Sequence, residues 1–498
     1  MIIESLRPLA AVAVSLLAAV LIMICGNRVK PDVREGITLG AAVIKALLVF
    51  SMVPAVLAGN EYYCSPWEIV DGISLAFRTD AAGMVFACVA SGLWIVTSIY
   101  SIGYMRGHHE KNQTGYFAAF AVCLSSAIGI AFAANLITFF IFYEMLTIAT
   151  YPLVSHYRND SAKASGRKYL AYTLISGQLF FAAIVTVYVK YGTLDFRAGG
   201  FIEAGSMGQT AMLLLFILML GGGAVKSGLM PLHGWLPSAM VAPTPVSALL
   251  HAVAVVKAGA FCVLRIVWFV FGAESAAWCG GGRLLTWLAA ATIILSSLIA
   301  MRKDNLKARL AYSTIGQLSY IILGIGILAP YSVTGAAFHI VAHAFLKITL
   351  FMCAGAIYVT TGLSEISTMG GLFKRMPVTC VCFTAASLGI AGLPLLAGFV
   401  SKMNIIRGAF VENKLFFVAV LVAAALFALS YLIPVVRIFF GKEISSPVIN
   451  EGGEASPAML VPIVITAVVS FILGVMPNAG PQLYNLAVMA AQGGGPIG

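Results

Sequence analysis

The chain has 498 residues, 60% of them hydrophobic and only 10% charged, with a mean hydropathy of +0.97. Ordinary soluble domains carry about 25% charged residues, so the composition excludes a water-soluble protein and points to a polytopic membrane protein. The formal net charge of +11 calls for no nucleic-acid partner, because the cations collect in short loops on one side of the predicted spans.

The apolar run 9–24 has no small-residue cleavage site before the next polar stretch, so it reads as a first span and not as a removable signal peptide. Segmentation at about 20 apolar residues per span predicts an all-α polytopic membrane protein of fourteen helices. They lie near 6–24, 36–57, 81–102, 116–133, 136–154, 168–189, 208–230, 245–271, 284–300, 307–328, 332–359, 379–409, 415–440 and 458–476. The longest polar intervals, 59–80 and 190–206, leave no room for a soluble domain, and the Gly/Pro-rich tail 491–498 is expected to lack structure. The nine cysteines are scattered, with no Cys-x-x-Cys pair, and read as small buried hydrophobes. No cofactor or metal site is expected.

Lys and Arg cluster in alternate loops. One set holds Arg28, Lys30, Arg34, Arg106, Lys111, Arg158, Lys163, Arg167, Lys168, Arg302, Lys303, Lys307, Arg309, Lys374, Arg375, Arg437 and Lys442. The opposite set holds only Arg7, Arg78, Lys190, Arg197, Arg283, Arg407 and Lys414. The positive-inside rule then places both termini on the non-cytoplasmic side of a bacterial or archaeal cell membrane.

The stretch 226–257, K-S-G-L-M-P-L-H-G-W-L-P-S-A-M-V-A-P-T-P-V-S-A-L-L-H-A-V-A-V-V-K, holds two lysines, two histidines and four prolines after the triplet Gly221, Gly222, Gly223. Backbone groups freed by prolines and glycines cost several kcal/mol in hydrocarbon unless protein or water satisfies them. A lysine at the bilayer centre costs at least about 2.5–3.5 kcal/mol. The stretch therefore reads as a broken helix whose charges face a protected, hydrated interior, where transporters bind ions. Its G-G-G-A-V-K-S-G start lacks the Gly-Lys-[Ser/Thr] ending of a phosphate-binding loop.

Six cations fall within apolar segments: Lys45, Lys226, Lys257, Arg265, Lys347 and Lys402. Lys45 and Arg265 admit snorkelling toward a helix end. The other four call for a partner or a titration. The acid to balance them is Glu144, alone between Glu110 and Asp160 in the middle of the fifth span. A static ion pair holding helices together is the competing explanation. In the eleventh span, His339, His343 and Lys347 are spaced i, i+4, i+8 and share one helix face. That row suits proton relay, polar packing or a metal site. The lack of a nearby carboxylate and the adjacent cation favour relay.

A second break is written into the twelfth span, S-L-G-I-A-G-L-P-L-L-A-G-F-V-S-K, with Gly389, Gly392, Pro394 and Gly398 before Lys402. Two broken, lysine-bearing helices five spans apart predict two five-helix repeats, helices 4–8 and 9–13, with helices 7 and 12 broken. An odd number of spans per repeat forces opposite topology, so the repeats are inverted. The expected organisation is 1–115 (helices 1–3), 116–271 (first repeat, input half-channel), 284–440 (second repeat, output half-channel) and 441–498 (helix 14 and tail).

The long stretch above, together with D-N-L-K-A-R-L-A-Y-S-T-I-G-Q, H-I-V-A-H-A-F-L-K-I-T-L-F and G-L-P-L-L-A-G-F-V-S-K, resembles the antiporter-like membrane subunits. That family includes the proton-pumping subunits of respiratory complex I, the A and D subunits of Mrp Na+/H+ antiporters and subunits of energy-converting hydrogenases. The resemblance runs from about the third to the thirteenth helix. It implies fourteen helices, two inverted repeats and membrane partner subunits, with H+ and in some members Na+ as the moved ion. It also implies roles: Glu144 and Lys226 as the input pair, His251 and Lys257 on a central hydrophilic axis, His339, His343 and Lys347 as a relay, and Lys402 as the terminal lysine. Lys402 disfavours the complex I branch that carries glutamate there. Y-P-L-V after Glu144 and F-V-S-K at Lys402 look most like the Mrp D-type and hydrogenase-associated branch. Two other classes compete. A quinone- or haem-handling redox subunit predicts ligand histidines facing across helices, and a scaffold subunit predicts indifference to changes at Glu144, Lys226 and Lys402.

Overall fold

In hydrocarbon every backbone N–H and C=O must be paired within the protein, and the apolar runs of this chain accordingly close into helices. A computed structural model describes residues 1–70, 72–442 and 453–493, and at position 251 the backbone alone. In chain order the elements begin with β1 (Ile2–Glu4), α1 (Arg7–Cys25), α2 (Pro31–Leu57), β2 (Glu61–Val70) and β3 (Ile73–Arg78). Then come α3 (Ala81–Gly107), α4 (Gln113–Phe132), α5 (Leu136–Val154), α6 (Asp160–Tyr191), α7 (Gln209–Lys226) and α8 (Trp235–Ser238). The middle is α9 (Thr244–Ala252), α10 (Val255–Arg265), α11 (Gly272–Trp278), α12 (Gly281–Met301), α13 (Leu306–Gly326) and α14 (Pro330–Thr361). The chain closes with α15 (Pro377–Ala391), α16 (Ala397–Val411), α17 (Leu415–Phe439), α18 (Pro457–Val475) and α19 (Leu483–Ala491).

Among the described residues twelve helices, counting the run Thr244–Trp278 as one, are long and apolar enough to cross a membrane. The breaks read from proline and glycine are present. α7 ends at Lys226 and helix resumes at Trp235; α15 and α16 are parted at 392–396, where Gly392 takes a left-handed conformation. Four features depart from the expected all-α pattern. The polar interval 59–80 is an antiparallel β2–β3 ribbon, and β1 pairs with β2 in parallel. Its Tyr, Trp, Ile and Val content suits strands. The eighth span is interrupted at Val253 and Ala254, followed by a π-helical turn at Ile266–Phe271. α6 begins at Asp160, eight residues before the expected start, because Asn159 caps it by accepting from Ala162 N–H at 2.8 Å. A helix not expected from the sequence, α19, precedes the 491–498 tail and packs on α14 and α3. Of the expected unstructured tail, 494–498 lie outside the described residues.

The run Thr244–Trp278 and α14 are the inner helices, with 100% and 94% of their apolar stretches buried, against 39% for α1, α6 and α17. Those outer helices keep apolar faces for lipid. Two matching clasps fix the entry to α5 and α13. Asn135 and Asn305 cap these helices through Thr138 N–H (2.8 Å) and Ala308 N–H (3.1 Å). Each cap joins a loop that follows a 32-residue helix ending in a left-handed glycine, Gly192 after α6 and Gly362 after α14. Leu136 N–H donates to Leu194 O and Phe196 N–H to Ala134 O; correspondingly, Leu306 N–H donates to Ser364 O and Ile366 N–H to Asp304 O, all at 2.9–3.0 Å.

Candidate functional site

Lys226 is the last residue of α7 and fully buried. Its ammonium donates to Tyr143 O on α5 at 2.5 Å and lies 3.2 Å from the centre of the Tyr143 ring. The Tyr143 hydroxyl in turn donates to Gly222 O in the last turn-and-a-half of α7 at 2.8 Å. Glu144, the next residue, does not close on the lysine: no ion pair within 4.0 Å joins them. Both Glu144 oxygens are buried without a hydrogen-bond partner. The carboxylate rests against Gly177 of α6, where a Cβ would lie 2.5 Å from Oε1. Glu144 also lines an apolar groove of about 780 Å3 between α1, α4 and α5.

The middle of the axis is formed where α10 meets α14. Lys257 Nζ lies 2.6 Å from His343 Nδ1. The His343 ring stacks on that of His339 at 6.0 Å between centres. His339 Nδ1 contacts Ser401 Oγ on α16 at 2.7 Å, and its Nε2 is buried without a hydrogen-bond partner. Lys347, one turn further along α14, donates to Ser313 Oγ at 2.7 Å, and Ser313 meets the Tyr431 hydroxyl of α17 at 2.9 Å. His251 stands on α9, but its side chain lies outside the described residues.

At the far end Lys402, on α16, donates to Ile390 O beside the 392–396 break at 2.5 Å. It lies 4.5 Å from the centre of the Tyr320 ring. Tyr320 also faces His339, 5.7 Å between ring centres, so one aromatic ring bridges the relay to the terminal lysine. The structure thus brings Lys257, His343, His339 and Lys402 into one line and sets Lys347 beside it. It keeps Glu144 and Lys226 apart.

The sequence reading did not single out Tyr143, Ser313, Gln317, Tyr320, Ser401 or Tyr431. Three of them carried a signal: Ser313, Gln317 and Tyr320 are polar at i, i+4 and i+7 and so share one face of α13. Gln317 Oε1 is buried with no partner, a position where a water would complete the hydrogen bonding. The two cations left open to snorkelling do not snorkel. Arg265 is 1% exposed and ion-paired with Asp80, among the rings of Phe196, Phe261 and Phe269. Lys45 is buried in α2.

Breaks in two spans and a line of buried bases through the bundle centre define a class of helical membrane protein that keeps charge within its spans. The chain belongs to the NADH:quinone oxidoreductase/Mrp antiporter transmembrane family, whose profile matches residues 133–428. It is 30% identical over 469 residues to the A/B subunit of a probable K(+)/H(+) antiporter of Rhizobium meliloti (strain 1021), covering 91% of this chain and 46% of that protein. It is 29% identical over 426 residues to the N subunit of NADH-quinone oxidoreductase of Desulforudis audaxviator (strain MP104C), covering 83% and 84%. The chain spans about half the length of the rhizobial relative and, at 56%, of the A1 subunit of a Staphylococcus aureus Na(+)/H(+) antiporter. Two solved structures share the fold. One is from the archaeal membrane-bound sulfane sulfur reductase, a respiratory membrane complex (TM-score 0.86, 24% identity, 98% and 97% covered). The other is from the Mrp complex of Dietzia sp. DQ12-45-1b (TM-score 0.81, 21% identity, 96% and 97% covered).

Proposed function

We propose that the chain is a proton-translocating subunit of a multi-subunit membrane complex, most like the D-type subunit of a cation/proton antiporter. The observation that carries this is the run of buried bases from Lys226 through Lys257, His343 and His339 to Lys402, in which Lys257, His343, His339 and Lys402 are joined by contacts at hydrogen-bond or ring-stacking distance. A proton enters at Lys226. Approach of the Glu144 carboxylate holds it there, since opposite charges at 4 Å attract by about 4 kcal/mol at an effective dielectric of 20. Separation of the pair, the arrangement seen here, frees the proton toward Lys257 and His343. It then passes His339 and the Tyr320 face to Lys402, with His251 and Lys347 beside the path, and leaves past the 392–396 break. The chemistry is transfer between bases, with no covalent intermediate. H+ is the moved ion, with Na+ as a second cargo in the antiporter case.

The paired clasps at Asn135 and Asn305 and the 32-residue helix that follows each of them support an inverted repeat, residues 116–271 and 284–440. Fourteen crossings follow if α13 and the broken pair α15–α16 each span the bilayer. The basic loops then face the cytoplasm and both termini face out of a cell membrane. The test is proton uptake by everted vesicles holding the assembled complex, followed with a pH dye. Glu144→Gln and Lys402→Ala are each expected to lower the initial rate about tenfold or more, a loss of at least about 1.4 kcal/mol of transition-state stabilisation. Unchanged rates in both, with normal assembly, would return the chain to a scaffold role.

The similarity to the N subunit and to the sulfane sulfur reductase complex favours a second reading, a membrane-arm pump driven by electron transfer in a complex I- or hydrogenase-like assembly. Copurification decides between them. Iron–sulfur or nickel proteins in the gently solubilised complex indicate redox drive; small hydrophobic proteins alone indicate ion exchange.

A further inference from the structure

Lys45 takes no part in the axis, yet its surroundings repeat those of two axial lysines. It is wholly buried in the middle of α2. Its ammonium donates to one backbone carbonyl, Leu124 O of α4, at 3.0 Å, and lies 4.6 Å from the centre of the Trp94 ring on α3. Lys226 and Lys402 each have the same pair of neighbours, one carbonyl and one aromatic face. An ammonium has three donors, and a single carbonyl leaves two of them to other acceptors. No carboxylate lies within 4.0 Å of Lys45 among the described residues.

A second observation concerns α3. Ser91 Oγ, Trp94 Nε1 and Ser98 Oγ are all buried without a hydrogen-bond partner, and at i, i+3 and i+7 they share the face that Lys45 meets. Four buried polar groups spread along one helix-facing stripe suit a row of waters, each of which bridges such groups with about three hydrogen bonds. Polar side chains continue toward only one end. Ser101 meets the Tyr116 hydroxyl at 3.0 Å. Thr38, two turns from Lys45 on the same face of α2, is buried, and Arg34 donates to Thr114 and Gln113. There the stripe reaches the Arg34–Glu35–Arg106–Asp32 network. Toward the other end the same faces hold Val49, Met52, Val56, Ala87 and Met84, all buried and apolar. α4 has no acidic, basic or histidine side chain, and α1 has only Arg7, at its start. The far-end carboxylates lie past that apolar stretch: Glu4 on β1, Glu61 and Glu68 on β2, and Asp80 at the start of α3, which is held in its ion pair with Arg265.

We propose that Lys45 is a further proton-binding site, loaded through this polar stripe from the end bearing Arg34, Glu35 and Arg106 and closed toward the opposite end. It takes up and returns protons on one side and passes none along the axis. The inference borrows from the proposed function only the idea that a lysine so seated exchanges protons. Its test does not require the axis to conduct.

Trp94 is the reporter, because gain or loss of the ammonium charge on its ring alters its emission. The complex is placed in oriented vesicles, and the emission of the Trp94→Phe complex is subtracted from that of the unaltered one. The difference signal is expected to titrate when pH is changed on the side of the basic loops, to stay constant when pH is changed on the other side, and to lose its titration in Lys45→Met and Lys45→Arg. A flat signal, equal response from both sides, or a titration that survives Lys45→Met overturns the inference. As a second measurement, Ser98→Cys in a background without native cysteines is expected to react with a membrane-impermeant thiol reagent from the basic side only. No reaction from either side overturns the inference also. A normal Trp94 titration alongside undiminished transport in Glu144→Gln would overturn the axial scheme and leave this site standing.

Discussion

An ammonium seated on one carbonyl and one aromatic face gains from the ring quadrupole, which attracts cations by about 0.5–2 kcal/mol and more when desolvated. Lys226 on Tyr143 and Lys402 on Tyr320 are built this way, so the ring, and not the hydroxyl, matters most. Tyr320→Phe should leave transport within about twofold of normal, since only the weak 3.4 Å hydrogen bond to Leu421 O is lost. Tyr320→Leu should lower transport about tenfold, consistent with loss of a cation–π term near 1.4 kcal/mol; vesicle uptake rates of the two variants decide it. The lysines and Glu144 were legible in the sequence because charge inside an apolar run is costly and therefore conspicuous. Tyr143, Ser401 and Tyr431 were not, because tyrosine and serine are common in membrane helices and only contacts distinguish these.

Helix contacts set the register of the axis. His339 meets Ser401 because α14 and α16 pack closely at Gly335, where an added Cβ would stand 2.7 Å from Ile405 N and Ser401 O. Both neighbours are backbone, so they cannot turn aside. Gly335→Ala should therefore cost about 1–3 kcal/mol in overpacking and, by parting the helices, slow transport as well. A lowered melting temperature with normal uptake would show that the register is more tolerant than this. Removing the side chain of either clasp, Asn135→Ala or Asn305→Ala, should cost about 1 kcal/mol of thermal stability. The helix breaks were legible because Pro and Gly announce them. The interruption at Val253 and Ala254 was not: A-V-A-V-V contains no breaker, and the kink belongs to packing beside the α14 row. α19 escaped for a different reason, being only 9 residues long.

Across the whole molecule, buried charge off the axis ties the N-terminal helices to α10. Asp80, which caps α3 through Gly83 N–H, pairs with Arg265 of α10. Asp80→Ala would strand a buried guanidinium, and a loss of about 3–5 kcal/mol is expected, read as a fall in the unfolding temperature in detergent. At the basic end, burial works to raise the Glu110 carboxyl. Hydrogen bonds from His156 and Tyr157, with the neighbouring histidine charges, outweigh that and hold it below the ordinary carboxylate range. A depressed carboxyl stabilises the folded state above its unfolded value, about pH 4.3, and that contribution is lost as pH falls through the folded value. Melting temperature should accordingly drop on acidification below about pH 4.3, and Glu110→Gln should be lower at neutrality and less steep in acid.

The contact between Lys257 and His343 has one more effect. Two nitrogen bases 2.6 Å apart have one proton between them as donor and acceptor. A second proton would leave two donors facing each other across that contact. The centre of the proposed path therefore admits one occupant at a time. A newcomer can enter only as its predecessor departs, and passage becomes single file: the count at the exit equals the count at the entrance, whatever force drives the queue.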